Sequence, residues 1–218
     1  IHSRRKVFYM ARVINKEEKR SKIALASIGL FCKKGIQQTS IDEIAKSAGV
    51  AKGTIYLYFK NKEEIIFAIW DMLTQQHEEA FNTRINPNMS AKEKILEYYN
   101  FSEIEKDYDK EQILILFHHF ISSMLIDKTE LYTNYFESFF QKDYDFILAC
   151  LKEGVQKAEF IIDDIDMITK TMITLLKGIL IMSKASKMNF QETQNSLNQH
   201  IIYLLKQYTT KDIKGDIQ

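Results

Sequence analysis

The chain has 218 residues, 45% of them hydrophobic, enough to bury a sizeable core as one domain or as a small domain joined to a larger one. One proline and seven glycines exclude a turn-rich β protein, and apolar residues recurring at spacings of three and four almost to the end predict an all-α fold. The net charge of +1 hides an asymmetry, because residues 1–62 carry 14 Lys and Arg against 4 Asp and Glu while residues 63–218 carry 16 against 25, so a basic end suited to phosphate precedes an acidic remainder.

Residues 1–15 are expected to form a flexible leader or tail. Ile1 to Tyr9 precede Met10-Ala11-Arg12, which reads like a start, and Arg4, Arg5 and Lys6 are not followed by the apolar run of a signal peptide. About nine helices are predicted, at 16–34, 41–48, 52–58, 62–82, 91–106, 110–126, 129–156, 164–185 and 190–209.

The second and third of these carry the most information. In SIDEIAKSAGVAKGTIYLYFKNK, residues 40–62, Ser40 with Glu43 makes a capping box, so a helix starts at Ile41. Gly49, four residues after Ala45, is suited to the left-handed conformation that ends that helix. Ile41, Ile44, Val50, Ile55 and Phe59 then form an apolar seam, which leaves Lys52, Gly53, Thr54, Tyr56 and Tyr58 toward the outside, as groups suited to DNA. Asn61 with Glu64 repeats the box logic, and Lys62 stands at a helix start whose dipole attracts phosphate.

The stretch T-S-I-D-E-I-A-K-S-A-G-V-A-K-G-T-I-Y-L-Y-F-K-N-K-E-E-I resembles the DNA-binding region of the TetR family of bacterial transcriptional repressors. The resemblance runs from about Ile23 to Ile66 and includes an upstream helix in which Ile23, Ala26, Leu30 and Phe31 precede Gly35. It implies a helix-turn-helix domain over 16–62 and a helical effector-binding and dimerising domain over 63–218. In it, Lys52, Gly53, Thr54, Tyr56 and Tyr58 occupy recognition-helix positions, while Thr39 and Lys62 sit at helix starts that contact phosphate. Beyond residue 70 only the architecture carries over.

In the remainder, Asn86-Pro87-Asn88 marks a break and Ser90 with Glu93 restarts a helix. Between Tyr132 and Phe146 fall seven aromatics, Tyr132, Tyr135, Phe136, Phe139, Phe140, Tyr144 and Phe146, more than one buried helix stripe needs. They either pack as core or, with Tyr98, Phe101, Phe117, His118, Phe120, Met124 and Met172, wall a pocket for an apolar or aromatic ligand. His118-His119 lacks a second metal ligand at helical spacing, and no HExxH, paired CxxC, phosphate loop or Gly-x-Ser-x-Gly occurs, so no cofactor and no catalytic residue is expected. No apolar run is long enough to cross a membrane, a cytoplasmic address is expected, and Cys32 and Cys150 read as reduced thiols.

Ile165, Ile168, Met172, Leu175, Leu176, Ile179, Leu180 and Met182, followed by a stripe of Leu197, Ile201, Leu204, Leu205 and Tyr208, either finish the monomer core or close a two-fold interface. The resemblance favours the interface. The expected protein is a homodimeric regulator, a repressor that binds a pseudo-palindromic operator and is released by an apolar or aromatic small molecule. The alternative is a ligand-blind architectural DNA binder or helical adaptor on the same scaffold, with an enzyme the weakest reading.

Overall fold

The computed structural model describes residues 2–101 and 109–209, with side chains described from residue 16 onward. Among the described residues nine helices occur: α1 (His2–Gln38), α2 (Ile41–Ala48), α3 (Lys52–Tyr56), α4 (Lys62–Arg84), α5 (Ala91–Tyr98), α6 (Lys110–Ile126), α7 (Leu131–Gln156), α8 (Ile165–Ala185) and α9 (Phe190–Lys206). The all-α expectation holds. The sole β feature among them is an isolated antiparallel bridge between Phe160 and Thr209.

The chain divides into two compact units, one within Ile1–Gln75 and Ile115–Ile126 and the other within Gln76–Leu114 and Asp127–Gln218. Helices α4 and α6 contribute residues to both. In the first unit α1, α2 and α3 close over Ile23, Ile28, Phe31, Ile36, Ile44, Ile55 and Phe59, all buried. Phe67 and Phe120 meet edge to face at 6.2 Å, and Trp70 meets Phe120 at 5.9 Å and Phe117 at 6.3 Å. In the second unit α5, α7, α8 and α9 enclose Ile95, Tyr99, Ile147, Leu151, Met172, Ile173, Leu176, Leu197, Ile201 and Leu205.

Several boundaries differ from the periodic reading, each for a visible reason. Helix α1 starts at His2, since no glycine or proline interrupts residues 1–28. It then continues past a non-helical Gly35 to Gln38. Helix α5 stops at Tyr98 instead of 106, and residues 102–108 lie outside the described part of the chain. The Gln194 side chain of α9 takes over here: its Nε2 donates to Tyr99 O at 2.8 Å and its Oε1 accepts from Phe101 N at 3.0 Å, satisfying groups that a continuing helix would use. Helix α7 begins two residues late because Asp127 accepts from the amides of Thr129 and Tyr132, at 2.9 and 3.0 Å. Helix α9 ends at Lys206, after which Tyr208 O accepts from Ile161 N at 2.8 Å.

The apolar surface expected on the last two helices has two faces. Met172, Leu176, Ile179, Leu197, Ile201 and Leu205 are buried in their own unit. Met167, Ile181 and Met182 of α8 and Ile202 and Tyr203 of α9 are exposed instead. The stripe continues through exposed Thr171 and Thr174 and through Gly178, where an added Cβ would meet nothing within 4 Å.

Candidate nucleic-acid interface

Local chemistry sets the α2–α3 pair. Glu43 N donates to Ser40 Oγ at 3.3 Å while Ser40 N donates to Glu43 Oε2 at 3.0 Å, which is the expected box. Lys34 also donates to Glu43, and together with the bonds from Ser40 it holds that carboxyl down at about 2. A depressed carboxyl pKa means that the interaction is present at neutral pH and is lost only as pH falls toward about 2. At the other end Gly49, with φ 64° and ψ 38°, lets Val50 N donate to Ala45 O at 3.0 Å and terminates α2. Ser47 Oγ donates to Ala26 O at 2.7 Å, tying α2 to α1, and the Arg20 guanidinium lies 4.9 Å from the Phe59 ring centroid.

On this frame Ile55 and Phe59 point inward, and Lys52, Gly53 and Tyr56 are exposed, with Thr54 and Tyr58 half-buried beside them. Lys52 Nζ is 2.9 Å from Asp42 Oδ2, and the hydrogen bond to Asp42 raises its pKa further. Thr39 is placed differently. Its side chain is buried and its hydroxyl donates to Gly35 O at 2.7 Å, so it braces the α1–α2 connection. Lys62 Nζ donates to Gln37 O at 2.6 Å, with Thr39 O at 3.4 Å, and so reaches back over the same connection. The start of α4 is capped by Asn61, whose Oδ1 accepts from Glu64 N at 2.9 Å, but Glu64 Oε2 returns to Lys60 N at 2.8 Å in place of Asn61 N. Sequence reasoning missed two exposed groups on this surface: Leu57, 73% exposed, and Lys60, whose side chain is 91% exposed. Both lie inside the quoted motif, but a leucine there reads as core by residue type.

The expected effector residues divide between the units. Phe117, His118, Phe120 and Met124 belong to the first, where Phe120 is buried and the His118 ring lies 6.1 Å from Phe117. Tyr98, Phe101, Tyr132, Phe136, Phe140 and Met172 belong to the second. There Tyr98 stacks on Phe146 at 4.1 Å and donates through its hydroxyl to Asp143 Oδ1 at 2.9 Å. Burial first, then Asp143, pushes the Tyr98 hydroxyl well above its ordinary pKa. Asp143 is itself buried and lies 2.6 Å from Lys177 Nζ, which stands 6.0 Å over the Phe136 ring. His77 donates through Nε2 to Tyr98 O at 2.7 Å and lies 5.0 Å from Phe101, with burial lowering its pKa. Met172 and Tyr132 are buried, and Phe140 packs at the edge of the second core.

Neither Cys32 nor Cys150 is in a disulfide, and burial pushes the Cys150 thiol up to about 12, which makes it a poor nucleophile. Among the described residues no helix is long and apolar enough to cross a membrane, and no group of three His, Cys, Asp or Glu could hold a metal ion.

Residues 23–69 match the family model described as "Bacterial regulatory proteins, tetR family". Over 80 residues the chain is 40% identical to the fatty acid metabolism regulator protein of Bacillus subtilis (strain 168), an alignment covering 37% of this chain and 41% of the relative. Over 108 residues it is 30% identical to the HTH-type transcriptional regulator TtgR of Pseudomonas putida, covering 47% and 50%. The chain thus spans half or less of the length of these curated relatives. Two solved structures share the fold: a TetR transcription regulator from Haloarcula marismortui ATCC 43049, with TM-score 0.75, 13% identity and coverage of 89% of this chain and 100% of that one, and the transcriptional regulator FadR from Bacillus subtilis in complex with stearoyl-CoA, with TM-score 0.68, 21% identity and coverage of 85% and 97%. With a capped α2, a glycine turn and a short outward-facing α3 inside the matched segment, residues 23–69 carry the segment that the model for the tetR family of bacterial regulatory proteins describes.

Proposed function

We propose that the protein is a homodimeric, cytoplasmic DNA-binding transcriptional regulator, a repressor that leaves a pseudo-palindromic operator when a small apolar molecule binds. The observation that carries the reading is the outer surface of α3, where Lys52, Gly53 and Tyr56 are exposed on a frame fixed by Ile44, Ile55 and Phe59. A short helix held at both ends, in the basic third of the chain, is built to enter a major groove while neighbouring lysines meet phosphate. Fluorescence anisotropy with a duplex selected from a random-sequence pool tests it directly. Binding at nanomolar protein that weakens steeply with salt supports the reading, and binding no tighter than to random duplex overturns it.

Lys62 is assigned to phosphate. Lys62→Ala should then weaken selected and random duplexes by similar factors and lower the salt slope by about one unit. An unchanged slope would leave Lys62 as a strut on the Gln37 carbonyl. Thr54→Ala, by contrast, should alter sequence preference.

Dimerisation is assigned to the exposed stripe of α8 and α9. Met182→Glu with Ile202→Glu should convert a two-chain mass to a one-chain mass by light scattering, with helical content retained, because four carboxylates per dimer would lose water without partners. A soluble two-chain particle in that variant would move the interface elsewhere. Leu176→Glu is a different experiment, since Leu176 is 1% exposed and its substitution attacks the core.

For the effector, the Bacillus subtilis FadR structure is a complex with stearoyl-CoA, and the curated relative is a fatty acid metabolism regulator. A long-chain acyl thioester is therefore the first compound to titrate. The ligand-blind reading is favoured by the burial of Met172, Tyr132 and Phe120 as ordinary core. A ligand that binds the folded state raises the melting temperature, and coupling of ~1 to 3 kcal/mol would weaken DNA binding by roughly 5- to 150-fold.

A further inference from the structure

We infer that Leu57 is a base-reading residue whose side chain contacts thymine methyl groups at the centre of the α3 footprint, an inference that rests on the DNA-binding reading above. Leu57 is 73% exposed and keeps helical angles, φ −74° and ψ −20°, at the end of α3. At about 100° per residue it lies about 160° around the helix from buried Ile55, so it points directly away from the core. Gly53, four residues earlier, lies about 40° from it on the same outward face, and a Cβ added there would meet nothing within 4 Å. Tyr56 and Thr54 flank this pair. The outward face therefore centres on a bare glycine and an exposed leucine, where a close approach by another surface meets an apolar end.

Charge selects the occupant. Residues 1–62 carry 14 Lys and Arg against 4 Asp and Glu, and Lys46, Lys52, Lys60 and Lys62 stand on either side of Leu57, with Lys52 2.9 Å from Asp42 and Lys60 3.9 Å from Glu64. A leucine set among lysines is poorly suited to a second copy of itself, because like charges would be brought together, but it fits a polyanion that also offers an apolar group. In the major groove that group is the C5-methyl of thymine. Ile44, Ile55 and Phe59 already fill the seam under α3, which leaves Leu57 no part in the core.

The test uses the full chain and a duplex enriched from a random-sequence pool. Each thymine is replaced in turn by deoxyuracil, which lacks only the methyl, and affinities are measured for the unsubstituted protein, Leu57→Ala and Leu57→Met. Burying one methyl corresponds to about fourfold in affinity. We expect uracil at one or two positions per half-site to weaken the unsubstituted protein by about that factor and to leave Leu57→Ala unaffected. Leu57→Met should keep the thymine preference, and random duplex should bind Leu57→Ala and the unsubstituted protein alike with the same salt slope. Losses that simply add, uracil neutral at every position, or a Leu57→Ala defect equal on enriched and random duplex would each overturn the inference while leaving DNA binding intact. A pool that yields no enriched duplex would overturn the DNA-binding reading and this inference together.

Discussion

Gly154→Val should lower the melting temperature of the protein by about 2 to 12 °C. A Cβ at Gly154 would lie 2.4 and 2.6 Å from Phe160 Cδ2 and Cε2, closer than real Cβ atoms come, and 3.0 Å from Ala91 Cβ, tighter than nearly all such contacts. The usual escape is for the neighbour to move. Phe160 is badly placed to do so, because it is 3% exposed, bridges to Thr209, and is followed by Ile161, whose amide donates to Tyr208 O at 2.8 Å. Ala91 is fixed as well, since its amide donates to Glu159 Oε2 at 2.8 Å. Overpacking costs of about 1–3 kcal/mol, occasionally more, are a large share of a typical total of about 5–15 kcal/mol. Gly154→Ala should fall between, and a calorimetric scan reads both. An unchanged transition in the valine variant would mean that Phe160 swings out, which loss of the Phe160–Thr209 pairing would reveal by amide exchange.

What could be read from the sequence, and what could not, follows the range of each interaction. The boxes Ser40–Glu43 and Ser90–Glu93 depend on residues three apart, and both were legible. A third box, Asn189–Glu192 at the start of α9, has the same spacing as Asn61–Glu64 and is just as local. The turn at Gly49 was legible for the same local reason. The contacts of Gln194 with Tyr99 and Phe101 were not, because they join groups more than ninety residues apart and no periodicity announces them. Likewise Thr39 was read for phosphate from its place at a helix start, and the turn at Gly35 that buries its hydroxyl is a tertiary feature.

The aromatics of α7 show the same limit. Periodicity tells which residues share a helix face, and it does not say what stands opposite. Phe146 stacks on Tyr98, Tyr144 bonds Asp166 from α8, Tyr135 and Phe139 lie 5.0 Å apart, and Phe136 faces Lys177. Each of these aromatics thus has a local partner, so their excess in the sequence is no measure of an open pocket. The division of the candidate effector residues between two units was equally invisible, since residues 115–126 join the first unit only through tertiary contact.

Gly35→Val should cost the protein at least about tenfold in affinity for a selected duplex while leaving the core of the second unit folded. Gly35 has φ 80° and ψ 166°, a combination open in practice to glycine alone, and forcing a side chain there costs about 1–3 kcal/mol. Space is short too: a Cβ would lie 3.2 Å from His119 Nδ1 and 3.4 Å from its Cε1. Relief of either strain must move the α1–α2 connection, which holds the Thr39 hydroxyl on the Gly35 carbonyl, buries Ile36 and receives Lys62 on the Gln37 carbonyl. Helix α2 begins soon after, so the displacement passes into the frame that orients α3. Gly49 makes the contrast, because a Cβ there would meet nothing within 4 Å and only backbone strain would act. The two components at Gly35 separate in a cycle with His119→Ala, which should restore the part of the loss due to contact and none of the part due to φ. Full affinity for the selected duplex in Gly35→Val, measured by anisotropy beside an unchanged circular dichroism spectrum, would mean that the connection yields without turning α3, and the bend at Gly35 would then be a packing device with no hold on DNA.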